Sequence, residues 1–141
     1  DKDQWIEYCT KLGLKARKGS ILKLPYDDGS VDGVFIQSVM EHVDPVKSME
    51  EITRIIKKGG IVAISCPTPE ATFWDDPTHL RPHTIKSLTT LFEMFGYTTI
   101  HANYVITELL GMKISWNRLF QLLHLIPARI GSNVLVIGKK N

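Results

Sequence analysis

A chain of 141 residues, 43% hydrophobic and 23% charged, is long enough to bury one core and has the balance of an ordinary globular domain, not of a disordered or fibrous one. Its formal net charge of +2 gives no electrostatic case for nucleic acid or a membrane surface. No apolar run approaches the roughly 20 residues that a membrane helix needs, and Cys9 and Cys66 are too far apart to suggest zinc or a disulfide framework.

Residues 2–12 read as a helix with Trp5, Ile6, Cys9 and Leu12 apolar and Gly13 as its stop. Lys15, Arg17 and Lys18 make a short basic run of the kind found on solvated faces. Asp27, Asp28, Gly29 and Ser30 form a turn cluster, and the apolar run 31–36 is a strand of the sort covered on both faces. Asp44 followed by Pro45 starts a helix, an N-cap acceptor before proline at the first helical position. Val46, Met49, Ile52 and Ile56 make one apolar stripe, with Glu50, Glu51, Arg54 and Lys57 mostly outside it. Lys57 and Lys58 suit the negative end of the helix dipole, and Gly59-Gly60 provides a stop. A second apolar strand, 61–66, ends at Pro67. The whole is a strand–helix–strand unit of a parallel sheet with a right-handed crossover.

The stretch 68–82 then carries three prolines, Phe73, Trp74, Asp75, Asp76, His79 and Arg81. A loop of this length between a strand and a helix is usually functional. Thr84 caps the next helix, whose stripe is Ile85, Leu88, Leu91, Phe92 and Phe95 and whose end is Gly96. Residues 97–106 alternate as a strand through Ile100, Ala102, Tyr104 and Ile106. A second amphipathic helix spans 114–126, with Trp116, Leu119, Phe120, Leu122, Leu123 and Leu125. A last strand follows at 133–138.

These elements resemble the second half of the class I S-adenosylmethionine-dependent methyltransferases, in the broad methyltransferase type 11 branch that includes the ubiquinone and menaquinone biosynthesis enzymes. The resemblance is carried by Leu24-Pro25-Tyr26, Val31-Asp32, Glu41-His42, Glu51, Arg54, Ile56-Lys57-Lys58-Gly59-Gly60 and the strand that follows. It implies an α/β fold: a Rossmann-like doubly wound sheet, mostly parallel, with an antiparallel last strand at its edge. It further implies one partial methyltransferase domain over 1–141, with an active-site loop at 68–83 and a helical cover or lid at 111–131. The family's first strand and glycine-rich loop have no counterpart here, so the chain is expected to be the C-terminal portion of a longer protein.

The resemblance also implies site residues. S-adenosyl-L-methionine would lie against Asp1, Ser20, Ile21, Gln37, Ser38 and Val39. Asp1 stands where the family holds the ribose hydroxyls; the plainer reading of Asp1 is a charged terminus or an N-cap. Ser20 follows Gly19 but replaces the family's adenine-binding acid. His79 is the first candidate for a general base, with Arg81, His83, Trp74 and His42 facing the acceptor. Plainer readings stand beside these. Glu41 and His42 structure the loop, and Asp75 or Asp76 pairs with Arg81. A metal held by Asp, His79 and His83 ranks below methyl transfer, because Pro82 separates the two histidines.

The expected function is methyl transfer from S-adenosylmethionine to a small-molecule oxygen or nitrogen nucleophile by a cytoplasmic enzyme. Nucleic-acid and membrane-spanning partners are not expected, and the oligomeric state, a homodimer included, is left open. The alternative is a non-catalytic binding or dimerisation module of the same fold. Another nucleotide-binding α/β enzyme, such as a dehydrogenase, fits the Glu41-His42 and Lys57-to-Gly60 spacing less well.

Overall fold

A computed structural model describes residues 2–69, 71–105 and 133–141, with side chains for all of these but 2, 71 and 72. Asp1 and the helix expected over 114–126 lie outside the described residues.

Helix α1, Lys2–Lys11, ends as its sequence suggests. Gly13 takes φ +77°, its N–H reaches the Thr10 carbonyl, and the Leu14 N–H reaches that of Cys9. These two bonds form the Schellman cap that only a left-handed residue allows without strain. Strand β1, Val31–Gln37, leads through the single 3₁₀ turn Met40–His42 into α2, Pro45–Ile55. Asp44 is the N-cap of α2: its carboxylate accepts from the N–H groups of Val46 and Lys47.

The end of α2 differs from expectation. The helix stops at Ile55, and β2 runs Ile56–Pro67, so Gly59-Gly60 lies inside the strand. Val31 pairs with Ile56 but Gly33 pairs with Ile61, so the intervening residues bulge out of the ladder, with Gly59 at φ +76°. Lys57 does not cap the helix; its ammonium sits 2.7 Å from Asp32 across the bulge. A bulge next to a helix end reads in sequence like a helix stop, because both ask for the same glycine.

Helix α3, Ile85–Met94, opens on a capping box in which Thr84 and Ser87 each accept the other's backbone N–H. Strands β3, Tyr97–Val105, and β4, Asn133–Lys140, complete one sheet of order β1-β2-β4-β3. β4 is antiparallel to both β2 and β3, so β1, β2 and β3 all run the same way. The last strand is therefore antiparallel as expected but not at the edge; it is inserted between β2 and β3. The alternation read in β3 does not mark a buried face among the described residues, since Ile100 and Tyr104 are both exposed. Nor is β1 covered on both faces there, since Phe35 is 63% exposed.

The core packs Met49 and Ile52 of α2 and Leu88, Leu91 and Phe92 of α3 against Ile36, Val62, Ile64, Val134 and Val136 of the sheet. Among the described residues no helix is long and apolar enough to cross a membrane.

Candidate active site

Because β1 and β2 are parallel, the segments that leave them emerge at the same end of the sheet. The segment leaving β1 is Ser38 to Val43 with its 3₁₀ turn, and the segment leaving β2 is 68–83, with a second 3₁₀ turn at Ala71–Asp75. In open α/β sheets this is the end where ligands bind.

Ser38 opens the first segment with φ +51°, the one non-glycine residue in the left-handed region among those described. Such a conformation is rare for a residue with a Cβ, and it redirects the chain at the strand end. The Ser38 N–H is held by the Ser65 carbonyl of β2 at 2.9 Å. Gln37 and Ser38 are exposed at this end, whereas Val39 is half-buried against the core.

Three hydrogen bonds fasten the second segment to the first. The buried His83 donates from Nε2 to the Met40 carbonyl at 3.2 Å. The Leu80 N–H donates to the Glu41 carbonyl at 2.7 Å. His42 Nδ1 lies 3.0 Å from the Thr78 hydroxyl and 3.2 Å from the Thr78 carbonyl. Two of these acceptors are main-chain carbonyls of the first segment, so the loop is positioned largely by backbone.

The tautomers of His42 and His79 follow from these partners. The Thr78 hydroxyl donates to Asp76 Oδ1 at 2.6 Å, so towards His42 it can only accept, as can the Thr78 carbonyl. His42 Nδ1 therefore carries the proton. His79 Nδ1 lies 2.6 Å from the Phe73 carbonyl, which also only accepts, so it too is protonated. In the neutral form of each ring the lone pair is then on Nε2. The two rings are 4.7 Å apart between centroids, and His79 also stacks on Phe73 at 4.3 Å.

Glu41 lies beneath them with 0% exposure, and neither carboxylate oxygen has a hydrogen-bond partner among the described residues. The thiol of Cys66 at the end of β2 is pushed up to about 12, first by burial and then by the Glu41 charge. Burial holds His83 below the ordinary histidine range, with the Arg81 charge acting the same way, so it is neutral near pH 7. Asp76 is held below its ordinary value, first by the Thr78 hydroxyl and then by the Thr78 N–H.

The structure thus gathers His42, His79 and His83 at one strand end, beside the exit of β1 that carries Gln37, Ser38 and Val39. Trp74 and Arg81 are exposed on the same loop, Trp74 edge-on to Phe73. Asp76 pairs with Thr78, not with Arg81. Ser20 is exposed and its hydroxyl accepts from the Leu22 N–H at 3.2 Å, while Ile21 packs on the core. Sequence reasoning missed Thr78 and Asp76 as the pair that fixes the His42 tautomer. The available signal was Asp76 two residues before Thr78, the spacing of an Asx turn, which the structure forms.

Residues 2–64 match a family model described as a methyltransferase domain. An uncharacterised protein of Methanocaldococcus jannaschii is 34% identical over 107 residues, covering 71% of this chain and 46% of the relative. A protein of Mycolicibacterium smegmatis named as a probable S-adenosylmethionine-dependent methyltransferase is 32% identical over 87 residues, 57% of this chain and 34% of the relative. The chain thus spans less than half the length of either curated relative. Among solved structures, a SAM-dependent methyltransferase from Thermotoga maritima superposes with a TM-score of 0.74 at 19% identity, covering 98% of this chain and 70% of that one, a likeness of fold. The sheet with its inserted antiparallel last strand, the matched stretch through α2 and β2, and these relatives agree: residues 2–64 match a methyltransferase domain, and the chain has the fold of S-adenosylmethionine-dependent methyltransferases of known structure.

Proposed function

We propose that the intact protein transfers a methyl group from S-adenosylmethionine to an oxygen or nitrogen of a small-molecule acceptor. The cofactor lies over the carboxyl end of β1, against Asp1, Ser20, Ile21, Gln37, Ser38 and Val39. The acceptor sits under the 68–83 loop, between Trp74, Arg81 and His42, with His83 holding the turn behind them. The observation that carries this reading is the fixed ring of His79, whose Nδ1–H is committed to the Phe73 carbonyl and whose Nε2 lone pair is left at the ligand-binding end of the sheet.

The acceptor nucleophile attacks the sulfonium methyl in line; the new bond to carbon forms as the carbon–sulfur bond breaks, and S-adenosylhomocysteine leaves. The sulfonium activates the methyl by itself, so the protein's part is positioning. His79 Nε2 receives the proton of a hydroxyl acceptor, and Arg81 orients an anionic one. Free thiols at Cys9 and Cys66 fit a reducing, cytoplasmic setting.

Calorimetric titration of the intact protein with S-adenosylhomocysteine tests the reading. Binding in the micromolar range is expected. His79→Ala is expected to leave that affinity unchanged and to lower kcat on a hydroxyl acceptor by about 10²-fold or more; an unchanged kcat removes the base role. Failure to bind S-adenosylhomocysteine moves the protein to the non-catalytic module of the same fold.

A further inference from the structure

Glu41, His42 and His79 meet in a way that methyl transfer does not require. One ligating atom from each lies within 4.8 Å of the others, and His42 Nε2 is 4.0 Å from Glu41 Oε1. We infer that these three side chains form a binding site for one divalent transition-metal ion of the zinc class.

Three independent features point to an ion. The first is the carboxylate. A buried, ionised carboxylate without hydrogen bonds is costly unless a cation is paired with it. Glu41 has no exposed surface, and both its oxygens lack a partner among the described residues. The second is the tautomer of both rings. Metal-ligating histidines characteristically give one ring N–H to a carbonyl or carboxylate and offer the other nitrogen to the ion. His79 gives its Nδ1–H to the Phe73 carbonyl, and His42 gives its own to Thr78, whose hydroxyl in turn donates to Asp76. Both Nε2 lone pairs are left available. The third is Asp76 itself: its second oxygen stands 3.9 Å from His79 Nε2, close enough to join the shell or to hold a bound water.

The donor set selects the class of ion. Two imidazole nitrogens and one carboxylate oxygen favour borderline cations such as zinc, cobalt or iron over magnesium or calcium, which prefer all-oxygen shells. Bonds of roughly 2.0–2.2 Å bring tetrahedral ligand atoms to about 3.4 Å from one another. Each pair here therefore closes by about 1.4 Å at most. The side chains of His42 and His79 are 32% and 12% exposed, which leaves the rings room to turn towards a buried Glu41. Three protein ligands leave a further coordination position open, the pattern of catalytic rather than structural sites. With the ion bound, His79 Nε2 no longer takes a proton, so activation of an acceptor oxygen at the open position replaces the base role of His79; that use rests on the methyl-transfer reading, whereas the binding of the ion does not.

The test is competition for Zn²⁺ between the intact protein, free of any histidine tag, and a chromophoric chelator, with Co²⁺ absorption as a second probe. One Zn²⁺ per chain is expected, and Co²⁺ should give the intense visible bands of a four- or five-coordinate site. His42→Ala and His79→Ala should each weaken Zn²⁺ binding by at least about 100-fold, and Thr78→Val by about 10- to 100-fold through the lost orienting bond. His101→Ala, an exposed histidine on β3, should leave binding unchanged. Zn²⁺ affinity that is indifferent to His42 and His79, or lost equally on changing His101, overturns the site. Glu41→Gln is read alongside: in the absence of metal it should fold at least as well as the parent, since the buried charge is gone. S-adenosylhomocysteine binding is measured on the same samples. Zn²⁺ bound without S-adenosylhomocysteine refutes methyl transfer and keeps the metal site; the reverse refutes the metal site alone.

Discussion

Cys66 ends β2 with no exposed surface and a thiol pushed up to about 12, whereas Cys9 on α1 is partly exposed. Only the thiolate reacts, and a thiol of that pKa is ionised to roughly one part in 10⁵ at pH 7. A disulfide-exchange reagent should therefore titrate one thiol promptly in the folded protein and the second only on unfolding; prompt reaction of both would show that Cys66 is accessible. The sequence placed Cys66 correctly as a small buried hydrophobe, because an apolar run closed by proline leaves little choice. The place of His42 and His79 at the carboxyl end of the sheet was legible as well, since both follow parallel strands. The burial of Glu41 was not legible. A glutamate beside a histidine reads as loop chemistry, and its burial depends on packing between segments that are far apart in the chain.

Among the elements, β4 and α3 are coupled through Gly138. A Cβ at that position would come within 2.6 and 2.7 Å of the Phe92 ring. Phe92 is itself fully buried and stacks on Tyr97 at 5.5 Å, so the ring has nowhere to go. Gly138→Ala should cost about 1–3 kcal/mol, read as a lower urea midpoint with an unchanged slope. A midpoint equal to the parent's would mean that α3 moves freely over the sheet. The caps of α1, α2 and α3 were legible because capping is local: Gly13, Asp44 with Pro45, and Thr84 act within a few residues. The start of β2 was not, because its bulge depends on pairing with β1, some 25 positions earlier in the chain, and on the contact between Lys57 and Asp32.

Across the whole molecule, the Glu51–Arg54 ion pair of α2 fastens the segment before β1 to that helix through further bonds from both side chains. Glu51 accepts from both the Nε and Nη2 groups of Arg54 and from the Leu24 N–H, and Arg54 also reaches the carbonyls of Leu24 and Tyr26 and the Asp28 carboxylate. Arg54 and then the Leu24 N–H pull the Glu51 carboxyl from 4.5 down to about 2. A carboxyl whose folded value is depressed stabilises the fold above its ordinary value and loses that contribution as pH falls through the lower one. Stability should thus decline from pH 4.5 towards pH 2, and Glu51→Gln should cost stability at pH 7 but progressively less across that window. Parallel losses at both ends, followed by chemical denaturation, would show that the pair does not govern the acid limb. Strand types and the parallel β1–β2 pair were legible in the pattern of apolar runs. The place of β4 was not, since nothing local in residues 133–138 says which neighbours it takes. The three bonds that hold the 68–83 loop have a further consequence. Their acceptors on the β1 side are the Met40 and Glu41 carbonyls, which every amino acid supplies. The outward side chains of the loop, Trp74, Leu80 and Arg81, take no part in those bonds, so the outer face of the loop can be changed by substitution while His79 stays where it is. A fold built this way can change the surface that the loop presents without rebuilding the frame that holds it.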